Sequence, residues 1–130
     1  KFYIMDILKN CLFGALGGAI GAVGRYLIGL IPFRHGNDFP INTLLINVAG
    51  AFIIGIVFAL AAKNIMQNPH TILLLKTGIC GGFTTFSTFS LESEQLFAKG
   101  HPVTGLFYII LSVILCIVAV FLAQIFIDKI

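Results

Sequence analysis

The chain reads Gly78-Ile79-Cys80-Gly81-Gly82-Phe83-Thr84-Thr85-Phe86-Ser87-Thr88-Phe89-Ser90 in the third of its apolar segments, where three glycines and five hydroxyl side chains are concentrated. Adjacent glycines weaken a helix, and Ser and Thr hydroxyls can bond the backbone carbonyls that an interruption leaves free. We therefore expect the helix to break near Gly81–Thr84. Non-helical backbone survives at membrane depth only where it is buried in protein or lines a cavity, so a break here indicates a functional site. The alternative is an unbroken, glycine-rich helix that packs tightly against its neighbours.

Four apolar segments, including this one, are long enough to cross a bilayer. A membrane-spanning helix needs about 20 predominantly apolar residues, and residues 8–31, 41–62, 72–97 and 102–127 meet this requirement. The chain is 58% hydrophobic and 10% charged, whereas a soluble domain contains about 25% charged residues. Backbone groups in lipid must be satisfied within their own segment, so the four segments are predicted to be helices. The sequence therefore predicts an all-α membrane protein, a single four-span domain over residues 1–130 whose third helix is broken near its middle.

Charged residues near the ends of these segments predict the orientation of the chain. An even number of spans places both termini on one side of the membrane, and Arg34 and Lys99 fall on the other side. Because cytoplasmic loops are enriched in Lys and Arg, the side of the termini is expected to be cytoplasmic. The cations on that side are Lys1, Lys9, Lys63, Lys76 and Lys129. The net charge of +3 is scattered without a basic run, so nucleic acid is not expected as a partner.

Two polar side chains lie deep within the predicted spans. A charge at mid-span costs about 2.5–3.5 kcal/mol on insertion scales, so Arg25 either snorkels toward the end of its helix or acts as a functional cation. Asn47 either bonds a neighbouring helix or offers its donors to a ligand. Phe86 and Phe89 are three residues apart and share a helical face. Their pairing is either ordinary packing or a way to present positive ring edges to an anion.

Further polar residues extend this pattern toward the fourth span. Ser112 follows Tyr108 by one helical turn and could continue a polar line. Glu92 and Glu94 lie toward the end of the third span. Whether either carboxylate acts in a pore is left open by the sequence.

Other classes of protein are disfavoured by what the spans contain. The three cysteines form no CxxC pair and no metal-ligand spacing with the three histidines, so they are interpreted as small buried hydrophobes. An enzyme would need a His or Lys at membrane depth to activate a nucleophile, and none is expected there. A four-span multidrug antiporter would need an embedded carboxylate in the first span, where the embedded charge is Arg25. The third alternative is an assembly subunit without transport activity, against which the polar third span argues.

Four motifs follow one another along the chain. They are Gly-Gly-x-x-Gly-x-x-x-Arg-Tyr from Gly17 to Tyr26, Asn-Thr-Leu-Leu-Ile-Asn-Val-Ala-Gly from Asn42 to Gly50, the stretch Gly78–Ser90 quoted above, and Glu92 just after it. In length, number of spans and order of motifs the whole chain resembles the Fluc (CrcB) family of fluoride ion channels. The third motif is highly specific, whereas the glycine strip alone is a weak signal.

The resemblance implies an assembly and a function. It implies an antiparallel, dual-topology dimer with two fluoride pores, in which the partner is a second copy of the chain or an oppositely oriented paralogue. It also implies a structural sodium ion (Na+) on the dimer axis, held by the backbone carbonyls of Gly81 and Thr84. The expected function is passive export of cytoplasmic fluoride, which confers fluoride resistance without enzymatic activity. The expected location is the plasma membrane, as a multi-pass protein of the bacterial inner membrane.

The resemblance also implies which side chains line the pore. Where some relatives have a further serine in the polar track of the fourth span, this chain has Cys116, a weaker donor. The pore residues implied by position are Arg25, Asn47, Phe86, Phe89, Tyr108 and Ser112.

The physical properties of fluoride agree with this lining. Fluoride is a small anion that holds its water tightly, so only closely placed donors and positive ring edges can replace that water. Chloride is larger and accepts weaker hydrogen bonds, so a narrow lining would exclude it. The side chains that supply donors are Asn47, Thr85, Ser87, Thr88 and Ser112.

Overall fold

A computed structural model describes residues 2–33 and 38–130, and within these ranges the chain is helical and has no strand. The elements in chain order are α1 (Phe2–Gly29), α2 (Ile41–Ala62), α3 (Pro69–Leu73), a π-helical segment (Leu74–Cys80), α4 (Gly81–Phe83), α5 (Phe86–Ala98) and α6 (Pro102–Asp128).

Four helical stretches of the described chain are long and apolar enough to cross a membrane, so the protein is an all-helical, multi-pass membrane protein. They are Phe2–Gly29, Ile41–Ala62, Pro69–Ala98 and Pro102–Asp128. The predicted second span matches α2, and the third and fourth differ from the observed stretches only at their ends. The first prediction, residues 8–31, is shifted. α1 begins at Phe2 because the apolar residues before residue 8 continue the helix, and it ends at Gly29 because Leu30 and Ile31 form a turn and a bend.

Side-chain contacts show which helix ends lie together. Lys63 Nζ at the end of α2 donates to the carbonyl of Ile127 in α6 at 2.7 Å. The ring of His70 in α3 stacks on Phe13 of α1 with centroids 5.0 Å apart. These contacts define one end of the bundle, here called the terminal end, which holds the start of α1 and the end of α6. The first and last described turns are therefore on the same side, as an even number of spans predicts.

The opposite end of the bundle, here called the far end, holds the end of α1 and the start of α2. The Asn42 side chain lies 2.9–3.1 Å from the carbonyls of Ile28 and Gly29 at the end of α1 and of Ile31 just after it, and by donating to them it satisfies groups that a helix terminus leaves free. Lys99 Nζ donates to Asp38 Oδ2 at 3.3 Å across the same end. Lys1 and Arg34, which entered the charge comparison, lie outside the described residues.

The backbones of α1 and the third span are in direct contact. A Cβ added at Gly17 would lie 2.8 Å from the Cα of Gly78, and one added at Gly21 would lie 2.7 Å from the amide nitrogen of Phe83. Real Cβ atoms do not approach other atoms this closely. A Cβ added at Gly18 would meet no atom within 4 Å, although the backbone of Gly18 itself lies against Gly82. Small residues on one face of α1 thus allow the close helix packing that association in lipid requires, while α2 packs mainly against α6.

Candidate functional site

The third span changes backbone conformation between α4 and α5. Thr84 (φ −77°, ψ 157°) and Thr85 (φ −151°, ψ 113°) are both extended. Thr85 is the N-cap of α5, where its Oγ1 accepts from the amide of Thr88 at 3.1 Å. The first amides of α5 have no partner within their own helix, so this helix start carries partial positive charge.

Asn47 of α2 reaches across to this extended pair and bonds both backbone groups of Thr85. Its Oδ1 accepts from the Thr85 amide at 2.8 Å, and its Nδ2 donates to the Thr85 carbonyl at 3.1 Å. The interhelical role that the sequence left open is therefore present. An amide nitrogen carries two hydrogens, so Nδ2 keeps a second one that can serve a ligand.

The extended residues Thr84 and Thr85 leave the backbone carbonyls just before α5 without the donors that a continuous α-helix would give them. In an α-helix each carbonyl accepts from the amide four residues later. The amide that would pair with the carbonyl of Gly81 is that of Thr85, which is bonded to Asn47. The amide that would pair with the carbonyl of Thr84 is that of Thr88, which is bonded to the Thr85 hydroxyl. The carbonyls of Gly81 and Thr84 are therefore two of the four that lose their helical donors. Those of Gly82 and Phe83 are the other two, because they would pair with the amides of Phe86 and Ser87, which begin α5.

Three of the five hydroxyls in this stretch form one cluster at the start of α5. Thr85 Oγ1 lies 3.0 Å from Thr88 Oγ1 and 3.3 Å from Ser87 Oγ. Thr84 and Ser90 instead donate to carbonyls four residues earlier, those of Cys80 and Phe86, each at 2.8 Å. The donors predicted at Thr85, Ser87 and Thr88 are thus brought together.

Phe86 and Phe89 form an aromatic pair beside this cluster, with ring centroids 5.4 Å apart and planes inclined at 46°. Phe89 is buried and also contacts the ring of Tyr108 at 5.2 Å. Phe86 is 78% exposed, so one ring of the pair projects from the surface of a single chain. The two rings share one helical face, as their spacing predicted.

Glu92 is bonded to two neighbouring helices. Its Oε2 accepts from the Tyr108 hydroxyl at 2.8 Å, and its Oε1 accepts from Thr43 Oγ1 at 2.7 Å. Glu94 is exposed on another face of α5. Thr43 was not predicted as a site residue. It precedes Asn47 by four residues and so shares its helical face, and this spacing was the signal in the sequence that could have identified it.

Ser112 and Tyr108 face different surroundings, so no bonded line joins them. Tyr108 is fully buried and directs its hydroxyl to Glu92. Ser112 Oγ is buried and has no hydrogen-bond partner in the part of the chain that the structure describes. A buried hydroxyl left unbonded is costly, which makes Ser112 a group with free capacity.

Thr85 is a lining residue of two cavities, and the region around it is here called the junction. The first, here called the polar cavity, has a volume of about 620 Å³ and opens at the far end. The second, here called the groove, has a volume of about 410 Å³ and runs between α2, α6 and the third span. Thr85 lines both. The polar side chains of the polar cavity include Arg25, Asn42, Thr43, Thr85, Thr88 and Glu92.

Each of the two cavities is lined by one cation. Arg25 lines the polar cavity with Glu92 and forms no ion pair with it, so the arginine faces a polar space. Lys76 lines the groove together with Ser112 and Cys116. The π-helical segment and the α-helices beside it bring this side chain to the groove.

The fold and the site define a four-span helical membrane protein whose polar groups gather at the junction of two cavities inside the bundle. The chain belongs to the CrcB family, because the family model described as "CrcB-like protein, Camphor Resistance (CrcB)" matches residues 12–124.

Curated relatives cover most of the chain. The "Fluoride-specific ion channel FluC" of Agrobacterium fabrum is 44% identical over 113 residues, covering 86% of this chain and 90% of the relative. The protein of the same name from Shewanella denitrificans is 45% identical over 118 residues, covering 90% and 94%. That from Ruminiclostridium cellulolyticum is 44% identical over 121 residues, covering 92% and 93%. These relatives are named as ion channels, a non-enzymatic function, and the chain is likewise not an enzyme.

Proposed function

We propose that this chain is a fluoride-selective passive ion channel that exports cytoplasmic fluoride across the plasma membrane. The observation that carries the proposal is the junction of the two cavities. There the amide of Asn47, the hydroxyl cluster around Thr85 and the Phe86–Phe89 ring pair lie next to one another. The names of the relatives, at 41–45% identity, support fluoride as the ion.

One mouth of the anion pathway is assigned to the polar cavity. Arg25 lines this cavity, and a cation in a cleft raises the local concentration of anions. The hydroxyls of Thr85 and Thr88 lie deeper, at the positive start of α5. An anion moving inward therefore exchanges water for fixed donors step by step.

Selection is assigned to the ring pair beyond these hydroxyls. The second hydrogen of Asn47 Nδ2 supplies a donor at one side of the junction. Phe86 and Phe89 supply ring edges, which carry partial positive charge. Beyond the rings, Ser112 Oγ supplies a donor with no other partner among the described residues. Chloride gains less from these short contacts and is excluded by the narrow passage.

The carbonyls of Gly81 and Thr84 are proposed to hold a structural sodium ion. They fit this role because the interruption releases both from their helical donors. Neutral carbonyls without carboxylates suit a monovalent ion, since a double charge would remain uncompensated in lipid. When bound, the ion neutralises the carbonyl dipoles and so stabilises the interrupted span.

A dimer of antiparallel chains is proposed as the active assembly, with two pores. The groove is open along the surface of one chain and contains the extended residues Thr84 and Thr85. Non-helical backbone at membrane depth must be covered by protein or line a cavity. A second copy in the opposite orientation would cover the groove and the exposed ring of Phe86, and would bring the released carbonyls of two chains together. A paralogue of opposite orientation would do the same.

Accessibility labelling tests the orientation. Gln67 near the terminal end and His101 at the far end are both exposed and lie in connectors. Cysteines placed at these positions, in a background that lacks the exposed Cys11, are treated with an impermeant maleimide in intact cells. Labelling of both positions from outside supports dual insertion of one chain. Labelling of His101 alone supports a fixed orientation and a paralogous partner.

The function is tested by ion efflux from liposomes that contain the purified protein. Fluoride is expected to leave rapidly under a potassium diffusion potential, whereas chloride remains inside. Empty liposomes and liposomes that contain the Asn47→Ala variant provide the background. Equal efflux of the two anions, or efflux of neither, would contradict the proposal. In the cell, a passive pore of this kind lets the negative-inside potential drive fluoride outward.

A further inference from the structure

Lys76 occupies a position that the fluoride pathway described above does not use. It lies in the π-helical segment, is exposed and lines the groove. In the part of the chain that the structure describes, no carboxylate forms an ion pair with it. The other groove-lining residues described are neutral. A cation with no counter-ion in a cleft attracts anions.

The depth of Lys76 allows its ammonium group to reach both the groove and water. It precedes Thr84 by eight residues, which corresponds to roughly 12 Å along a helix. Half the hydrocarbon core measures about 15 Å. If Thr84 lies near the middle of the membrane, Lys76 lies near the interface on the terminal side, where a charged group is tolerated.

The lining between Ser112 and this lysine is poor in donors. Ser112 Oγ is buried and unbonded in the described part of the chain. One turn later the lining residue is Cys116, whose thiol is a weak donor, and its neighbours in the groove are Val113 and Ile117. Short-range hydrogen bonds therefore end near Ser112. A full charge acts over a longer distance than a hydrogen bond, and the groove walls screen it less than water does.

We propose that Lys76 attracts and transiently binds fluoride at the terminal mouth of the groove, between Ser112 and the aqueous phase. This inference rests on the proposed function. It gives the anion pathway a cation at each end, Arg25 in the polar cavity and Lys76 in the groove. Lys99 provides a natural contrast, because it is also exposed but already bonds Asp38 at 3.3 Å.

The experiment measures fluoride efflux from liposomes as a function of fluoride concentration, at low and high ionic strength set with an impermeant salt. The variants are Lys76→Gln, Lys76→Arg and the matched control Lys99→Gln. At ~10 mM ionic strength, where screening extends over ~30 Å, Lys76→Gln is expected to raise the half-saturating fluoride concentration roughly three- to tenfold, with a smaller change in maximal flux. At ~300 mM the difference is expected to shrink, because the lysine is then screened. Lys76→Arg keeps the charge and should behave like the wild type. Lys99→Gln leaves an exposed, screened Asp38 and should change the half-saturating concentration by less than about twofold.

The outcomes separate this inference from the function on which it rests. If the wild type conducts fluoride and Lys76→Gln has the same concentration dependence, the lysine serves lipid headgroups and the inference is wrong while the channel stands. If Lys76→Gln lowers the maximal flux equally at both ionic strengths, the role is structural and the inference is again wrong. A wild type that carries no fluoride would overturn the proposed function itself, and this inference with it.

Discussion

Thr85 lines both the polar cavity and the groove, but the two cavities differ in whether their polar groups are hydrogen-bonded. In the polar cavity the carboxylate of Glu92 is held by two hydroxyls, at 2.7 and 2.8 Å. In the groove the hydroxyl of Ser112 has no partner among the described residues, and the carbonyls of Gly81 and Thr84 have lost their helical donors. Buried polar groups are normally hydrogen-bonded. The difference indicates that the carboxylate of the polar cavity is satisfied within one chain, whereas the free polar groups of the groove are left for an ion, a partner chain or both.

Variants at the junction itself should have the largest effect. Asn47→Ala removes both bonds to Thr85, and Asn47→Asp replaces a donor by a charge that repels anions. We expect either variant to reduce fluoride efflux to that of empty liposomes. Asn10→Ala, which removes an exposed amide at the terminal end, serves as the matched control. Normal efflux from an Asn47 variant that elutes as the wild type would make Asn47 a packing residue only.

Replacing either ring of the aromatic pair should have the next largest effect. Phe86→Ile and Phe89→Ile preserve apolar volume but remove the positive ring edge. We expect each to lower the fluoride flux by roughly a hundredfold, if the edge contributes on the order of 2–3 kcal/mol at the barrier, without loss of the dimer on size exclusion. Phe121→Ile, at a site on α6 that is 61% exposed, is the control. Unchanged fluoride flux in both ring variants would mean that the two rings serve only to pack against their neighbours.

The contrast between the cavities also shows what the sequence could and could not predict. The helices followed from apolar runs, and α2 was predicted to the residue because Pro40 and Lys63 flank its apolar stretch. The cluster at Thr85 was predictable because its hydroxyls are close together in sequence. The bonds from Thr43 and Tyr108 to Glu92 were not, because they join residues 49 and 16 positions apart. The groove position of Lys76 depends on a π-helical segment, for which the apolar pattern gave no signal.

Ser112→Ala tests whether the unbonded hydroxyl of the groove serves the ion. The variant removes no hydrogen bond within the described chain, so thermal stability is expected to be unchanged or slightly higher. Fluoride flux is expected to fall by roughly tenfold, as for one lost hydrogen bond to a charged species. Ser90→Ala, whose hydroxyl bonds its own helix at 2.8 Å, is the matched control for flux. A Ser112→Ala variant with lower stability and normal flux would contradict the assignment.

Gly21→Ala and Gly18→Ala test whether the stability of the protein depends on the close contact of α1 with the third span or only on glycine content in α1. A Cβ at Gly21 would overlap the carbonyl of Ile79, close to the interruption, whereas one at Gly18 meets no atom within 4 Å. We expect Gly21→Ala to destabilise the protein by about 1–3 kcal/mol through overpacking. Gly18→Ala should be neutral, since alanine is the better helix former. Stability is measured by urea or thermal unfolding in detergent. Equal stability of the two variants would contradict the close contact between Gly21 and the third span.

The smallest effect is expected at the far end, in a smaller cavity that shares Glu92 with the polar cavity and is lined by Asp38 and Lys99, which neutralise each other. Both side chains are more than half exposed, at 59% and 58%, and their oxygen and nitrogen atoms are 3.3 Å apart. Asp38→Asn removes one negative charge near the mouth and frees Lys99, so anions should gather there slightly more readily. We expect the half-saturating fluoride concentration to fall by less than about twofold, because solvent screens exposed charges. Adding Lys99→Gln to Asp38→Asn restores local neutrality and should restore the wild-type value. If Asp38→Asn alone changed the half-saturating fluoride concentration as much as Lys76→Gln does, paired and unpaired cations would act alike in this channel. The two mouths would then not differ in how they attract anions.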